Sequence, residues 1–243
     1  KLLRACERFK RWSEAVFLYI KYDEFDNALV IMMEHSPTAW NHETFAEVIQ
    51  KATNQDLFFR AIIFYIEEQP MLINDLLKSV SAKIDHAKAV QVLRRAGHLA
   101  LCLPWLQSVQ MYNVSQVNEA VNELLIEMED YEALKNSVTS YDSFDQLSLA
   151  KELERHELLE MRRIAAYLYR VNQSYSKSLS ISKKDQIYED AMETAQQSKN
   201  SEIAEDLLTY FIEIQDKEAF CACTYICFPY LHSDVVMELA LGA

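Results

Sequence analysis

Apolar residues recur along this chain with the period of an amphipathic helix. In the segment FFRAIIFYIEE, Phe58, Ile62 and Ile66 fall on one stripe of a helix. Phe59 and Ile63 form a second apolar edge, which indicates a helix packed between neighbours, as in a stack of helices. The same periodicity predicts further helices in the segments VNEAVNELLIEM, LEMRRIAAYLYRV and IAEDLLTYFIEI.

The helical segments follow a loose repeat. Each unit has an apolar helix with a tyrosine near its end, then a short polar break, then a second helix. The repeat tyrosines are Tyr19, Tyr65, Tyr169 and Tyr210. A spacing of about 40–50 residues is typical of two-helix solenoid repeats, and short breaks make consecutive helices antiparallel neighbours. The sequence therefore predicts an all-α fold, one continuous α-solenoid of stacked helical hairpins over residues 1–243.

Two similar acidic stretches, YDEFDNAL at residue 22 and YDSFDQLS at residue 141, mark breaks between predicted helices. Their carboxylates can accept the free N–H groups of a first helical turn, so we predict helix caps at Asp23, Asp26 and Asp142. Ser143 precedes Gln146 with the spacing of a capping box. Neither stretch has the 12-residue loop, central glycine and distal glutamate of an EF-hand, which disfavours a calcium site.

Composition narrows the classes of fold and partner. The chain has 2 glycines and 4 prolines in 243 residues, which disfavours hairpin-rich sheets and glycine-rich phosphate loops. Its formal net charge is −13, so it lacks the basic surface that binds nucleic acid or anionic lipid. No apolar run approaches the roughly 20 residues of a membrane span, and we therefore expect no direct membrane insertion.

The sequence offers no catalytic or metal-binding signature. Three of the 5 cysteines lie in CACTYIC, whose spacing lacks the paired C-x-x-C ligands of a zinc site, and buried core thiols are the simpler interpretation. The 6 histidines form no H-x-x-x-H pair and lie beside no nucleophile motif. We therefore predict a protein without cofactor, metal or enzymatic activity, which leaves an interaction or scaffold role.

Longer stretches are similar to one known family. WSEAVFLYIKYDEFDNALVIMMEH, FFRAIIFYIEEQPMLINDLL, YDSFDQLSLAKELERHELLEMRRIAAYLYR and KKDQIYEDAMETAQQSKNSEIAEDLL resemble the clathrin heavy chain. The collinear match is to the proximal leg, about residues 1–205, running into the start of the trimerisation region, about 206–243. The resemblance implies a structural segment of a three-legged triskelion, on the cytoplasmic face of coated pits and coated vesicles.

The resemblance also implies partners and candidate residues. Other heavy chains would pack against the leg, and a homotrimer would form near Phe220, Cys223, Cys227, Val235 and Val236, for which ordinary hairpin core is the alternative. The clathrin light chain would bind along the leg, where the family usually has a lysine at two positions, here Gln69 before Pro70 and Leu103 before Pro104.

The absence of those lysines leaves three alternatives. The light chain that binds this chain is adapted to their absence, the groove of this chain that holds it depends more on apolar contact, or the light chain is absent. Trp105 is a further light-chain candidate if it lies on an exposed ridge, and burial in the core is the alternative. The competing function is a different α-solenoid tether or adaptor of vesicle sorting. Such a protein would lack the collinear match at the trimerisation end.

Overall fold

The computed structural model describes residues 2–242, and within that range the chain forms helices, short 3-10 turns and loops without any β-strand. The all-α prediction is confirmed. The four segments with clear periodicity are all helical. They lie in or overlap the helices Gln55–Glu68, Ser115–Glu127, Leu159–Val171 and Ser201–Glu213.

The chain divides into two compact units, one ending at Phe144 and the other beginning at Asp145. The helices of the first unit are α1 (Leu2–Arg8), α2 (Trp12–Lys21), α3 (Phe25–Glu34), α4 (His42–Lys51), α5 (Gln55–Glu68), α6 (Ile73–Val80), α7 (His86–Arg95), α8 (Leu103–Val109), α9 (Ser115–Glu127) and α10 (Tyr131–Ser140). The 3-10 turns of this unit are Pro70–Leu72, Ala100–Cys102 and Gln110–Tyr112.

The second unit contains α11 (Gln146–Leu153), α12 (Leu159–Val171), α13 (Tyr175–Lys184), α14 (Tyr188–Ser198), α15 (Ser201–Glu213), α16 (Lys217–Cys227) and α17 (Ser233–Gly242), with a 3-10 turn at Phe228–Tyr230. In each unit the helices pack on near neighbours in sequence, either the next helix or the one after it, and α3 packs on both α4 and α5. This is the packing of stacked helical hairpins, the α-solenoid fold class. The prediction of one continuous solenoid over 1–243, divided near residue 205, stays a prediction.

The repeat tyrosines join each hairpin to the one before it. Tyr19 donates to Glu7 Oε1 at 3.2 Å, Tyr169 donates to Glu154 Oε2 at 2.6 Å, and Tyr210 donates to the carbonyl oxygen of Lys183 at 3.1 Å. The hydroxyl of Tyr65 lies 3.0 Å from His42 Nδ1. In all four, the ring packs among helices while the hydroxyl bonds an earlier helix or its end, which explains why tyrosine rather than phenylalanine recurs.

A scarcity of glycine does not prevent left-handed turns at the corners between helices. Positive φ angles occur at Asp23 (59°), Glu129 (56°), Gln173 (59°), Gln186 (57°) and Gln215 (59°). At each of these corners the last helical turn closes with two backbone bonds, such as Asp130 N to Leu125 O at 3.0 Å and Glu129 N to Ile126 O at 3.0 Å. This is the Schellman arrangement, formed here by aspartate, glutamate and glutamine in place of glycine, at a cost of about 1–2 kcal/mol each.

That geometry corrects the predicted caps. Asp23 is the left-handed residue that follows the end of α2, and the N-cap position of α3 belongs to Glu24, which makes no side-chain capping bond. The N-cap of α11 is Asp145, whose carboxylate accepts from Ser148 N at 3.0 Å. Asp142 and Ser143 therefore do not hold the N-cap position of this helix, because the loop continues two residues further than the capping-box spacing assumed.

Asp26 and Asp142 instead form hydrogen bonds between one corner and another. Asp26 lies in the first turn of α3, but its Oδ1 accepts from the backbone N–H of Thr53 at 3.2 Å, in the corner after α4. Asn113 Nδ2 donates to Asp142 Oδ1 at 2.8 Å, and Ser143 N donates to Asn113 Oδ1 at 3.3 Å. These bonds join corners that lie two helices apart, so they fix the position of each hairpin on the next.

Candidate interaction surfaces

Three of the cysteines belong to the core. Cys102, Cys223 and Cys227 are buried, as the core-thiol interpretation predicted, whereas Cys221 is exposed. Burial raises the pKa of Cys102 to about 12. A hydrogen bond with Cys227, together with burial, raises the pKa of Cys223. The same hydrogen bond lowers the pKa of Cys227. Protonated thiols such as those of Cys102 and Cys223 are poor nucleophiles and poor metal ligands, and residues 2–242 contain no cluster of three His, Cys, Asp or Glu suited to a metal.

The light-chain candidates differ in accessibility. Gln69 is half-buried at the end of α5, where its N–H donates to Tyr65 O at 2.9 Å. Leu103 is half-buried at the first position of α8. Trp105, two residues further, is fully buried, so the ridge interpretation is wrong. The turn of α8 that begins at Pro104 directs the indole into the core, where it lies 6.0 Å from the ring of His86.

The two corners that hold Gln69 and Leu103 are neighbours. Asn74, in the first turn of α6, donates through Nδ2 to the carbonyl oxygen of Leu101 at 2.7 Å. The corner between α9 and α10 follows at the same end of the helices, because α8 and α9 run away from this end and back to it. We call these three corners, residues 69–72, 96–103 and 128–131, the proline edge.

The opposite ends of the same helices form a second row of corners. It contains the corner after α4, where Lys83 Nζ bonds the carbonyl oxygen of Ala52 at 3.2 Å, and the loop that holds Asn113. The rings of His86 and Tyr112 lie 5.0 Å apart and join the intervening corners. Hydrogen bonds and a ring contact thus join the corners of this row.

The candidates at the carboxyl end of the second unit belong mainly to its core. Cys223 and Cys227 are fully buried among Leu207, Leu208 and Phe211, so they present no surface. Phe220 and Val236 pack against the same cluster and are partly buried, and Val235 is half-buried in α17. The hairpin-core alternative is therefore correct for the two cysteines, because positions 223 and 227 face the inner side of α16.

Other side chains of this end are the exposed ones. Tyr225, Phe228 and Met237 are large apolar residues that are mostly exposed. A hollow of about 660 Å³ is lined by residues that include Phe220, Thr224, Tyr225 and Phe228. Cys223 and Tyr225 are two residues apart, so they lie on nearly opposite faces of α16. Since Cys223 is buried, this spacing could have predicted from the sequence that Tyr225 is exposed.

No helix within the described range combines the length and apolar character that crossing a bilayer requires.

Comparison with known proteins identifies the family. A family model described as a region in clathrin and VPS matches residues 1–73 and 77–219. The chain belongs to the clathrin family.

Similarity to clathrin heavy chains extends over nearly the whole chain. Clathrin heavy chain 1 of Oryza sativa subsp. japonica is 51% identical over 240 residues, which are 99% of this chain and 14% of that protein. The clathrin heavy chain of Dictyostelium discoideum is 50% identical over 99% of this chain and 14% of its own length. Human clathrin heavy chain 2 is 47% identical, over 99% of this chain and 15% of its own length. The chain thus spans about 14% of the heavy chains it matches.

Proposed function

We propose that this chain is a structural segment of a clathrin heavy chain leg, which supports coat assembly on the cytoplasmic face of coated pits and coated vesicles. The observation that carries the proposal is the collinear similarity to heavy chains over 99% of the chain. Membership of the clathrin family supports a structural role and not an enzymatic one. In this role the chain packs against other heavy chains and needs no cofactor.

The stack of hairpins suits such a segment. Each helix contacts its neighbours along the chain, so small rotations between successive hairpins set the curvature of a unit. Corner bonds such as Asp26 to Thr53 and Asn113 to Asp142 resist those rotations. Many weak lateral contacts between stiff segments then add up by avidity, which permits a coat to assemble and later to come apart.

We further propose that a clathrin light chain binds at the proline edge, through Gln69 and Leu103, more weakly in its electrostatic part than where lysines occupy these positions. Restoring one lysine tests this proposal. Gln69→Lys is expected to tighten binding of a labelled light-chain central helix by about two- to fivefold at low salt, the effect of one exposed ion pair. Gln116→Lys adds the same charge at the exposed start of α9, at the opposite ends of the helices, and is the matched control.

The outcomes separate the alternatives. If neither the unmodified chain nor Gln69→Lys binds the light-chain helix, the partner is absent from this segment. If the unmodified chain binds the light-chain helix tightly and with a strong salt dependence, the absence of the two lysines has not weakened the electrostatic part of the binding free energy. Equal effects of Gln69→Lys and Gln116→Lys would mean that net charge, and not the proline edge, controls binding.

The scaffold role is tested by exchanging the matching 240 residues of the Dictyostelium discoideum heavy chain for this chain. We expect the chimeric heavy chain to support coated vesicles in cells that lack their own. A stable chimera that forms none would contradict the role.

A further inference from the structure

A set of polar side chains lies buried in the last helices of the first unit. Gln110, Asn118, Asn122 and Ser137 are at most 6% exposed, although most other buried residues of α9 and α10 are apolar. Gln110 belongs to the 3-10 turn after α8, the two asparagines to α9 and the serine to α10. Buried polar groups are stable only when they are hydrogen-bonded, so the partners of this set decide what holds it together.

One half of the set joins the turn after α8 to α9 by way of α10. Gln110 Nε2 donates to Ser137 Oγ at 3.0 Å. Ser137 Oγ in turn donates to Asn122 Oδ1 at 2.7 Å. The other group of this amide, Asn122 Nδ2, is buried and has no hydrogen-bond partner within residues 2–242. This half therefore ends on an unpaired donor.

The other half runs from α9 to the surface. Asn118 Nδ2 donates to Asn113 Oδ1 at 2.8 Å and to the carbonyl oxygen of Ser143 at 3.1 Å. Asn113 Nδ2 donates to Asp142 Oδ1, also at 2.8 Å. Asn118 Oδ1 is buried and finds no partner in the part of the chain that the structure describes. This half therefore begins with an unpaired acceptor.

The directions of these bonds are fixed by groups that cannot reverse them. The carbonyl oxygen of Ser143 can only accept, so Asn118 turns its NH2 group towards it and its Oδ1 away. The N–H of Ser143 can only donate, and its acceptor at 3.3 Å is Asn113 Oδ1. The NH2 group of Asn113 therefore faces the carboxylate of Asp142, which is exposed. Every donor of this half points towards that carboxylate.

The unpaired donor and the unpaired acceptor are close neighbours. Residues 118 and 122 are four apart in α9, so they share one face of the helix, with Cβ atoms about 5–6 Å apart. A water molecule bonded to two groups bridges about 5.5 Å, since each bond is about 2.8 Å long. Water also accepts one hydrogen bond while it donates another, which is the combination that these two atoms require.

We propose that Asn118 and Asn122 bind one buried water molecule, which accepts from Asn122 Nδ2 and donates to Asn118 Oδ1. The water completes a chain of hydrogen bonds from Gln110 in the core to the carboxylate of Asp142 at the surface. Because all donors in this chain point the same way, each bond polarises the next, and the charge of Asp142 strengthens the buried bonds. A change at the surface corner therefore reaches the contact between α9 and α10. This inference does not depend on the proposed light-chain binding.

A crystal structure at a resolution that shows ordered water tests the water site directly. We expect electron density for one water at about 2.7–3.2 Å from both Asn118 Oδ1 and Asn122 Nδ2. The density should be missing in Asn122→Leu, which removes the donor. A direct bond between the two side chains, or a gap without density in the unmodified chain, would overturn the site.

A double-mutant cycle tests whether the chain of bonds acts as a unit. Asp142→Ala should raise the unfolding equilibrium constant of the first unit about fivefold in the unmodified chain. In Asn122→Leu, where the chain is already broken, the same change should raise it about twofold or less. Tryptophan fluorescence in a urea titration measures both effects, because the three tryptophans lie in the first unit. Asn122→Ala, which cannot overpack the site, takes the place of Asn122→Leu if that variant does not fold.

Asp26→Ala is the matched control. Asp26 also accepts from the next corner, from Thr53 N at 3.2 Å, but Thr53 is exposed and this bond lies at the surface. The effect of Asp26→Ala on the unfolding equilibrium should therefore be the same with and without Asn122→Leu. If the effect of Asp142→Ala is also the same in both backgrounds, the buried bonds do not respond to the carboxylate and the proposed chain is overturned.

Discussion

Arg162 holds two corners of the second unit together, and its removal should be the most damaging single change among the ion pairs. Its guanidinium donates to Asp185 through Nε at 2.7 Å and through Nη2 at 2.9 Å. Nη1 donates to the carbonyl oxygens of His156 at 2.9 Å and Glu157 at 2.7 Å. The side chains of Arg162 and Asp185 are only 17% and 6% exposed.

The magnitude follows from this burial. Removing one partner of a buried ion pair leaves an uncompensated charge, which costs about 3–5 kcal/mol. We therefore expect Arg162→Met to destabilise the second unit by that amount. Arg163 provides a matched control, since it also forms a bidentate pair, with Asp190, but their side chains are 36% and 22% exposed. Solvent screening should limit the cost of Arg163→Met to about 1 kcal/mol.

Two optical signals separate the units in a urea titration. The three tryptophans, Trp12, Trp40 and Trp105, all lie in the first unit, so their fluorescence reports on that unit, whereas far-UV circular dichroism reports on both. Arg162→Met should lower the midpoint of the dichroism transition far more than Arg163→Met does. If the two variants lose equal stability, or if Arg162→Met loses less than about 1 kcal/mol, the reasoning from burial is refuted.

Three further predictions concern single residues. Glu129→Gly should stabilise the first unit by about 0.5–1 kcal/mol, because glycine removes the left-handed strain at a smaller entropic cost; an unchanged or lower urea midpoint would argue against strain at this corner. A thiol reagent at pH 8 should label the exposed Cys221 in the folded protein and Cys102 only in denaturant, and native labelling of Cys102 would contradict its burial. Burial and the bond to Glu154 raise the pKa of Tyr169 from 10.0 to about 12, so its contribution to stability is present below pH 10 and lost as pH rises to 12. Tyr169→Phe should make this alkaline loss shallower, and an identical pH profile would exclude the contribution.

The sequence predicted helices well because burial on one or two faces imposes a period that a single segment displays. The helix around FFRAIIFYIEE is an example, and so is the tyrosine repeat. The partners of the tyrosine hydroxyls could not be predicted, since they lie 12 to 27 residues away and depend on how the hairpins stack.

The corners show where reasoning from sequence failed. YDEFDNAL and YDSFDQLS look alike, but Asp23 has a φ of 59° and follows Tyr22, the C-cap residue of α2, whereas Tyr141 is extended with a φ of −127° and starts a longer loop. The helix after the first corner starts at its fourth residue, Phe25, and the helix after the second starts at its sixth, Gln146. Backbone conformation, which these letters do not specify, decides which aspartate reaches a free N–H group.

The candidate surfaces were predictable only in part. The breaks at Pro70 and Pro104 were visible in the sequence, but that their corners are neighbours follows from the fold, and the burial of Trp105 depends on the direction of α8 in the core. The exposure of Met71 and Met128 could not be predicted from the sequence, because it depends on how the helices stack.

Sedimentation of assembled coats tests the central claim most directly. The Dictyostelium discoideum heavy chain in which this chain replaces the matching 240 residues is purified with the unmodified heavy chain as reference, and the fraction that pellets as coats under assembly conditions is measured. A structural leg segment predicts that the chimera pellets to an extent similar to the reference. A folded, soluble chimera that stays in the supernatant while the reference pellets would contradict the claim.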